Sequence, residues 1–446
     1  MNAPVFKGWC PSALKPMESG DGFLVRIKPR MGTFTAGDVN GIAHAARLYG
    51  NGLVDLTNRG NVQIRGLSEK SLPLFSDWVV ASGLAAPDPV QESIRNILVS
   101  PLGPDDPHAA FDSHHCARAV QAVLESSPAV HSLPDKFGIA VDAGGRLPLA
   151  GAEADIVVRA DGLGCRIEVA GAQVARKVSF DAATSAVQGL LNAFTHWIDE
   201  LEPDDPVRGR SRFADIVADR GEGWIFIEAG VAGSGVPVPE ANDAMPQHMG
   251  FHPLDESGAG FFGMGAPFGQ LDANGLDAIA GCADRHGDGT IRMTPWKSII
   301  LAGVFRKDAN ELAKASEQFG WIATDTDSRR GFVACSGRPG CRSALADTRA
   351  LAARLAPCVS DSSGNGGGLV HVSGCPKGCA HPRAASTTVV ATADGFDVVR
   401  NGSASDQAER MGISFEMVAA LITAQAPDEG SPKPRPQSGP QSGPVS

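Results

Sequence analysis

Apolar and polar residues alternate along the chain in a way that predicts a strand-helix-strand unit near the N-terminus. GFLVRIKP (22–29) alternates as a strand, and the apolar spacing in TAGDVNGIAHAARLYG (35–50) predicts a helix that ends on a glycine. LVDLT (53–57) and VQIRGL (62–67) alternate as two further strands. Thr35 stands at the N-cap position, where its side chain can accept from a free backbone N–H. This order of elements predicts an α+β unit.

The same unit occurs a second time, because residues 267–304 repeat residues 30–67 without a gap, at a constant offset of 237. The apolar residues of the helix and of the following strands keep their spacing, and Asp272 takes the N-cap position. The two copies predict a pseudo-twofold protein. Nine positions are identical, namely Gly32/Gly269, Ala36/Ala273, Ile42/Ile279, Ala43/Ala280, Ala46/Ala283, Gly50/Gly287, Gly52/Gly289, Thr57/Thr294 and Gly66/Gly303.

The repeat divides the chain into four structured segments. A stretch rich in Pro, Gly and polar residues between the halves has the composition of a linker, and the Pro/Gly/Ser-rich C-terminus has that of a disordered tail. The predicted segments are half-domain 1 (18–85), a mixed segment without paired cysteines (86–235), the linker (236–257), half-domain 2 (258–322), a cysteine-bearing segment (323–425) and the tail (426–446).

Size and charge narrow the class of protein. The chain has 446 residues, 43% of them hydrophobic, which is enough for about two to four domains with their own cores. Its net charge of −11 argues against general nucleic-acid binding, so an anionic ligand must be held by a local basic pocket. No run of about 18 apolar residues and no signal-like N-terminus is present in the sequence. We therefore expect a cytoplasmic protein that acts without membrane or nucleic acid.

Four of the nine cysteines form two close pairs in Gly/Pro-rich loops, C-x5-C (Cys335, Cys341) and C-x3-C (Cys375, Cys379). In a reducing compartment such pairs favour metal ligands or redox groups over disulfides. A 4Fe-4S cluster suits four thiolates on loops whose N–H groups can approach the sulfurs. Zinc knuckles usually have shorter spacings, and the C-x-x-C of thioredoxin-type sites is absent. The pattern favours the cluster, with zinc and unrelated thiols as alternatives.

Together with LTNRGNVQIRG (56–66), this cysteine pattern resembles the nitrite and sulfite reductase superfamily, from about Gly22 to Met417. The resemblance implies an α+β fold in which ferredoxin-like half-domains repeat with pseudo-twofold symmetry, each followed by a nitrite/sulfite reductase-type α+β domain. It implies a deep pocket for a polycarboxylate tetrapyrrole, and in that superfamily the last cysteine, here Cys379, bridges the cluster to sirohaem iron. The implied cluster ligands are Cys335, Cys341, Cys375 and Cys379.

Within the superfamily, the opening CPSALKPMESGDGFLVRIKP (10–29) and the short length are similar to the precorrin-3B synthase family. That family uses O2 to hydroxylate precorrin-3A at C20 and to close a γ-lactone in aerobic cobalamin (vitamin B12) biosynthesis. The resemblance implies an iron-sulfur monooxygenase with a 4Fe-4S cluster, a mononuclear non-haem iron and an electron donor, either NADH or a reductase or ferredoxin. The alternatives are a ferredoxin-dependent sirohaem nitrite or sulfite reductase and a noncatalytic electron-transfer or zinc scaffold.

The superfamily's basic active-site residues can be placed on this chain one at a time. Its strand arginine falls on Lys28, or on Arg26 of the same strand face, and the arginine of its T-x-R turn falls on Arg59. A further arginine falls on Arg95 in SIRNIL. Arginine suits planar carboxylates and lysine acts as a mobile point charge, as a tetrapyrrole acid requires. The predicted substrate-binding residues are Arg26, Lys28, Arg59, Arg65, Arg95 and Lys136.

Two departures limit what the resemblance implies. Of the superfamily's paired lysines, only Lys136 in LPDKFG is kept, and the second position is Gly138. This loss weakens the sulfite reductase interpretation, because a small oxyanion needs dense positive charge. The ligands of the mononuclear iron are not evident: His371 and His381 flank the C-x3-C loop, but a lone histidine is more typical of a structural role. No catalytic residue is assigned.

Overall fold

The structure is a computed structural model, which describes residues 10–149, 151–152, 154–202, 205, 211–239, 245–359 and 368–424. The predicted disordered tail (426–446) lies outside the described residues. Four sheets are present in the part of the chain that the structure describes.

Half-domain 1 builds an antiparallel sheet in which β2 pairs with β1 and β5, and β5 with β4. The strands and the helix predicted from the apolar pattern are confirmed. The elements are β1 (Met17–Ser19), β2 (Gly22–Ile27), β3 (Thr33–Thr35), α1 (Ala36–Tyr49), β4 (Leu53–Leu56), β5 (Val62–Leu67) and α2 (Ser71–Ala81).

The mixed segment carries a six-stranded sheet packed against helices. Within it β6, β7 and β8 are parallel neighbours, and the remaining pairs are antiparallel. Its elements are α3 (Pro89–Ile94), β6 (Ile97–Val99), α4 (Ser113–Ser126), β7 (Ile139–Asp142), β8 (Ile156–Asp161), β9 (Gly164–Val169), β10 (Val174–Val178), α5 (Ala183–Glu200), α6 (Phe213–Arg220), α7 (Glu222–Glu228) and β11 (Ser234–Pro237).

Half-domain 2 repeats half-domain 1 element by element. Its helix α8 begins 237 residues after α1, as the sequence repeat predicts. Both helices start at the predicted N-caps, since Thr35 accepts from Asp38 N and Asp272 from Gly275 N. The elements are β12 (Gly250–Pro253), β13 (Ala259–Gly265), β14 (Gln270–Asp272), α8 (Ala273–His286), β15 (Thr290–Met293), β16 (Ser298–Phe305) and α9 (Ala309–Phe319).

The two half-domains exchange one strand each. β3 pairs with β15 at the edge of the second sheet, and β14 pairs with β4 at the edge of the first. Buried residues of both halves consequently belong to one hydrophobic core, in which α1 packs against α8. Because each half completes the other's sheet, the relative position of the two halves is fixed by backbone hydrogen bonds as well as by apolar contacts.

The cysteine-bearing segment carries a five-stranded sheet that repeats the pairing pattern of the mixed segment. β17, β18 and β19 are parallel neighbours, and β20 and β21 follow antiparallel. Its elements are β17 (Phe332–Ala334), α10 (Gly337–Gly340), α11 (Thr348–Leu355), β18 (Val370–Ser373), β19 (Ala385–Ala391), β20 (Phe396–Gly402), β21 (Arg410–Ile413) and α12 (Phe415–Thr423).

The stretch predicted to be a linker (236–257) contains structure at both of its ends. β11 ends at Pro237, inside this stretch, and pairs with β10. β12 spans Gly250–Pro253 and pairs with β13, so half-domain 2 starts earlier than position 258. A composition rich in Pro and Gly did not distinguish edge strands from a connection, because short edge strands carry little apolar periodicity. Among the described residues, no helix is both long and apolar enough to cross a membrane.

Candidate functional site

Two parallel strands bring the two cysteine loops to one edge of the sheet. β17 and β18 are parallel, and Ala334 lies opposite Val372. Both strands therefore end at the same edge of the sheet. Cys335 follows β17 directly, and Cys375 comes two residues after β18. The loops therefore meet even though more than thirty residues of chain separate them.

The four thiols lie within electrostatic range of one another. The thiols of Cys335 and Cys341 act on Cys375, and all three act on Cys379. Burial first, and then the neighbouring thiols, raise the pKa of Cys375 and Cys379. The backbone N–H of Gly374 donates to Cys335 Sγ at 3.3 Å. Such N–H donors to sulfur are a feature of iron-sulfur sites, and metal binding would displace the thiol protons.

A single metal ion and a 4Fe-4S cluster need different spacings of their ligands. Among the described residues, no three His, Cys, Asp or Glu side chains are grouped to hold one metal ion. A single zinc ion with Zn–S bonds of about 2.3 Å would gather its sulfur ligands to roughly 4 Å from one another. A 4Fe-4S cube gives each iron its own thiolate, which places the four sulfurs farther apart.

Half-domain 1 holds the C-x5-C loop in place. The carbonyl oxygen of Gly340 accepts from Ser19 Oγ at 2.5 Å and from Arg65 Nη2 at 2.6 Å. The backbone N–H of Gly20 also donates to this carbonyl, at 3.2 Å. A side chain at Gly20 would not fit, because its Cβ would lie 2.8 Å from Cys341 N. Since Gly340 directly precedes Cys341, these contacts fix the backbone that carries a predicted ligand.

A buried ion network continues this link. Asp55 is 4% exposed and accepts from Arg65 Nη1 and from Arg349 Nη2, each at 2.8 Å. Gln270 Nε2 donates to the same carboxylate at 2.9 Å. Asp55 thus joins half-domain 1, half-domain 2 and the cysteine-bearing segment. A buried carboxylate shared by two arginines makes the removal of any partner costly.

A basic cavity of about 250 Å³ lies between half-domain 1 and the mixed segment, and Arg26, Lys28 and Arg59 contribute to its lining. The Arg26 guanidinium donates to Gln63 Oε1 at 2.7 and 3.1 Å. Lys28 Nζ donates to two backbone carbonyls at 2.7 and 3.1 Å. Burial lowers the pKa of Lys28 to about 8, an effect that Glu92 opposes.

A larger cleft of about 640 Å³ shares Arg59 with this cavity. Its volume is that of a site for a sizeable organic ligand. Asp155 and Glu168 are the acids of its lining, so five arginines against two carboxylates give a formal charge of +3. The cleft therefore favours an anionic ligand with several charges. The arginines that line it are Arg59, Arg159, Arg166, Arg212 and Arg383.

Ion pairs hold three of these guanidinium groups in fixed orientations. Arg159 and Arg166 stand opposite each other on β8 and β9, and both donate to Glu168 Oε1, at 2.8 and 2.7 Å. The Arg212 guanidinium donates two hydrogen bonds of 2.7 Å to the Asp155 carboxylate. A guanidinium that is already fixed loses little side-chain freedom when it binds a ligand carboxylate.

The predicted substrate-binding residues fall into two groups. Arg26, Lys28 and Arg59 line the cavities just described. Arg95 instead donates to the backbone carbonyl of Lys28 at 3.2 Å and forms an ion pair with Glu92 at 3.0 Å, so it supports the chain that presents Lys28.

The other two predicted residues have structural contacts as well. Arg65 is 2% exposed, and its guanidinium is occupied by Asp21, Asp55 and the cysteine loop, which assigns it to the link between segments. Lys136 has an exposed side chain, and its carbonyl accepts from Arg59 Nη1 at 3.0 Å. Direct contact of Arg65, Arg95 or Lys136 with a substrate stays a prediction.

Sequence reasoning missed four arginines of the larger cleft. Arg159 and Arg166 lie in alternating segments, IVVRAD and GCRIEV, which could have been recognised as paired strands. Arg212 and Arg383 carry no local signal, because Arg212 directly precedes α6 and Arg383 lies in the loop before β19, and only the tertiary fold brings them to the cleft.

Comparison with known proteins agrees with the repeated architecture. The family model described as the nitrite/sulfite reductase ferredoxin-like half domain matches residues 15–77 and 254–318, one match for each half-domain. The structure of the Mycobacterium tuberculosis NirA protein superposes with a TM-score of 0.71 and covers 92% of this chain and 82% of that chain. Its sequence identity of 18% makes this a likeness of fold. Both half-domains of the chain are therefore similar to the ferredoxin-like half domain of nitrite and sulfite reductases.

Three relatives align with most of the chain. The precorrin-3B synthase of Sinorhizobium sp is 29% identical over 407 residues, covering 90% of this chain and 84% of that protein. The ferredoxin–nitrite reductase of Synechococcus elongatus is 27% identical over 405 residues, covering 84% and 77%. The assimilatory ferredoxin-dependent nitrite reductase of Haloferax mediterranei is 26% identical over 408 residues, covering 80% and 68%.

Proposed function

We propose that this protein is a precorrin-3B synthase, an oxidoreductase that uses O2 to hydroxylate precorrin-3A at C20 and to close its γ-lactone. The observation that carries the proposal is the arginine-lined cleft of about 640 Å³, whose lining includes Arg383, four residues after Cys379. A ligand with many carboxylates and a redox centre would therefore be neighbours. The similarity to the Sinorhizobium precorrin-3B synthase supports this assignment over nitrite reduction.

A 4Fe-4S cluster on Cys335, Cys341, Cys375 and Cys379 is part of the proposal. The four neighbouring thiols and the Gly374 N–H on Cys335 Sγ fit such a group. When bound, the cluster supplies electrons one at a time, delivered by NADH through a reductase or by a ferredoxin. The mononuclear non-haem iron enters through the family resemblance, and we assign no ligands to it.

The work of the chain's own residues is then to bind and to orient. Arg59, at the junction of the two cavities, is placed to hold one carboxylate while Arg159 and Arg166 hold others. Several fixed contacts select one orientation of the macrocycle and so present the same edge of it for reaction. The substrate's own acetate supplies the lactone oxygen, so the enzyme needs no nucleophilic side chain.

The similarity to ferredoxin–nitrite reductases supports a second candidate, in which the same cleft would hold sirohaem as a cofactor. Gly138 stands where that interpretation needs a second lysine, and it leaves the neighbourhood of Arg59 with one cation fewer. Sharp sirohaem absorption bands in anaerobically purified protein would support the second candidate, whereas a broad brown shoulder alone would support the first.

Isotope-labelled turnover tests the proposal. Anaerobically purified protein is loaded with precorrin-3A, reduced, and then given a pulse of ¹⁸O2. We expect a product that has gained one labelled oxygen atom, as measured by mass spectrometry. A product without labelled oxygen, or reduction of nitrite to ammonium by the same preparation, would contradict the assignment.

A further inference from the structure

His371 is a buried polar side chain without a partner, next to the cysteine loops. It lies on β18 and is 0% exposed, and neither ring nitrogen has a hydrogen-bond partner among the described residues. Leaving a buried polar group unpaired is costly, so folded proteins rarely do so without a reason. The missing partner is therefore a group that the described residues do not provide.

The other large sheet shows that the fold does not require a histidine at this position. His371 is the second residue of the central parallel strand β18, and Ala140 is the second residue of the equivalent strand β7. Ala140 belongs to a small apolar cluster with Leu149 and Val157. The equivalent position of the other sheet is thus occupied by an apolar residue. The histidine in the cysteine-bearing sheet therefore indicates a polar group nearby that it contacts.

The position of the ring identifies what lies next to it. Val370 and Val372 belong to the apolar core of the segment, so alternation along β18 places His371 on the opposite face. On that face the C-x3-C loop covers the ring, because a Cβ on Gly378 would lie 3.6 Å from His371 Cε1. Gly378 stands between the two cysteines of this loop, so the ring lies directly beneath the loop that carries them.

We propose that His371 donates a hydrogen bond from its imidazole N–H to a sulfur atom of the cluster and so favours the reduced form of the cluster. This inference rests on the proposed cluster. Reduction adds negative charge, and a fixed N–H dipole aimed at sulfur stabilises that charge more in the reduced state than in the oxidised one. His371 is thereby a positioning and tuning residue, distinct from the four thiolates that bind the irons.

The protonation state agrees with a neutral donor. Burial, followed by the nearby His381 and Lys297, lowers the pKa of His371 to about 4. A neutral imidazole keeps one N–H and one acceptor nitrogen, so a single donor remains available at neutral pH. His381 is the natural control, because its ring lies 5.8 Å away and its Nε2 is within 3.2 Å of the Ala384 carbonyl oxygen.

The reduction potential of the cluster is the first readout. In His371→Leu we expect the equilibrium constant for one-electron reduction to fall about tenfold, which is about 59 mV, because the donor is lost. His371→Gln keeps an N–H donor and should recover part of the shift, and His381→Gln should match the wild-type protein. The potentials are measured by redox titration followed by electron paramagnetic resonance, at equal iron and sulfide content.

Pulsed electron paramagnetic resonance on protein carrying ¹⁵N-histidine provides the second readout, and its wild-type result does not depend on a variant that folds. We expect weak coupling of the reduced cluster to one histidine nitrogen, lost in His371→Gln. No histidine coupling, or potentials equal in all three variants, would overturn the inference and leave a buried water as the partner. A wild-type protein without a cluster signal would instead contradict the proposed cofactor.

Discussion

The mixed segment and the cysteine-bearing segment form sheets with the same parallel edge, but different residue types stand at that edge. After the first parallel strand stands Cys335 in one sheet and Ser100 in the other. In each case the residue after the next strand donates its backbone N–H to that side chain. The distance is 3.3 Å from Gly374 N to Cys335 Sγ and 3.0 Å from Ala143 N to Ser100 Oγ.

The difference between the two edges lies in what completes them. Ser100 Oγ is also within 3.2 Å of Asp142 Oδ1, so its hydrogen bonds are satisfied by neighbours within the sheet. Cys335 instead lies within electrostatic range of Cys375 and Cys379 on the neighbouring loop. The backbone thus provides a side-chain position and an amide donor at both edges, and the residue types decide whether a metal cluster can be held there. At the serine edge, Asp142 also forms an ion pair with Arg159, which lines the arginine cleft.

The largest effect is expected when Cys335 is replaced by serine, the residue found at the equivalent position of the other sheet. Cys335→Ser removes one of four predicted iron ligands, so we expect iron and acid-labile sulfide to fall below about a tenth of the wild-type content. Tetrapyrrole binding should persist, because the cleft arginines are unchanged. Cys358→Ser is the matched control, since the Cys358 thiol is directed to the Arg354 carbonyl. A full iron and sulfide content in Cys335→Ser would contradict the ligand assignment.

The next largest effect concerns the link between the cysteine edge and the half-domains. Asp55→Ala leaves Arg65 and Arg349 buried without their shared carboxylate, which should destabilise the protein by about 3–5 kcal/mol. Urea unfolding followed by tryptophan fluorescence measures the change. Asp277→Ala, which breaks an exposed pair with Arg47, should cost less than about 1 kcal/mol. Equal effects of the two substitutions would refute the role of Asp55.

A smaller effect separates the cleft from the cluster. Arg166→Ala removes a guanidinium from the cleft lining, and we expect affinity for a tetrapyrrole acid to fall about tenfold, or about 1.4 kcal/mol. Anaerobic absorbance titration with precorrin-3A measures it. Arg176→Ala is the control, because Arg176 lies on the neighbouring strand with its guanidinium over the Phe226 ring. Loss of iron in Arg166→Ala, or equal affinities for both variants, would contradict the division of tasks.

The smallest effect is a pH dependence from Lys28. Its pKa in the folded protein is about 8, below the ordinary 10.5, because of burial. Above pH 8 the ammonium charge is lost, so the affinity for a polycarboxylate should fall about two- to threefold between pH 7.5 and 9. The unfolded chain holds this proton up to about 10.5, so Lys28 makes stability rise with pH between 8 and 10.5. In Lys28→Met both dependences should be weaker, and an unchanged pH profile of binding would count against Lys28.

The repeated units were predictable from sequence because their spacing is local. The helices at Ala36–Tyr49 and Ala273–His286 follow from apolar periodicity and N-caps, and the strands that follow them alternate visibly. The strand exchange was not predictable, since β3 and β14 have three residues each and a pairing partner more than 200 residues away. Short edge strands carry too few side chains to reveal their partner.

The candidate site also has a part that was predictable from sequence and a part that was not. The cysteine pattern indicated four ligands because their spacing within each loop is distinctive, and the parallel pairing of β17 and β18 then explains how the loops meet. The sequence did not distinguish Arg65, which holds a loop, from Arg59, which lines a cleft, because both are arginines on one repeat unit. Charge at a position does not reveal whether an acid of the same protein already neutralises it.

The proposed cluster is tested most directly by the metal content of the wild-type protein, purified without oxygen, and by its spectrum after reduction. We expect four acid-labile sulfides and five irons per chain, with four of the irons in one cluster that gives a paramagnetic signal when reduced by one electron and the fifth in the mononuclear site. A colourless protein with one zinc ion, or iron without sulfide, would contradict this expectation.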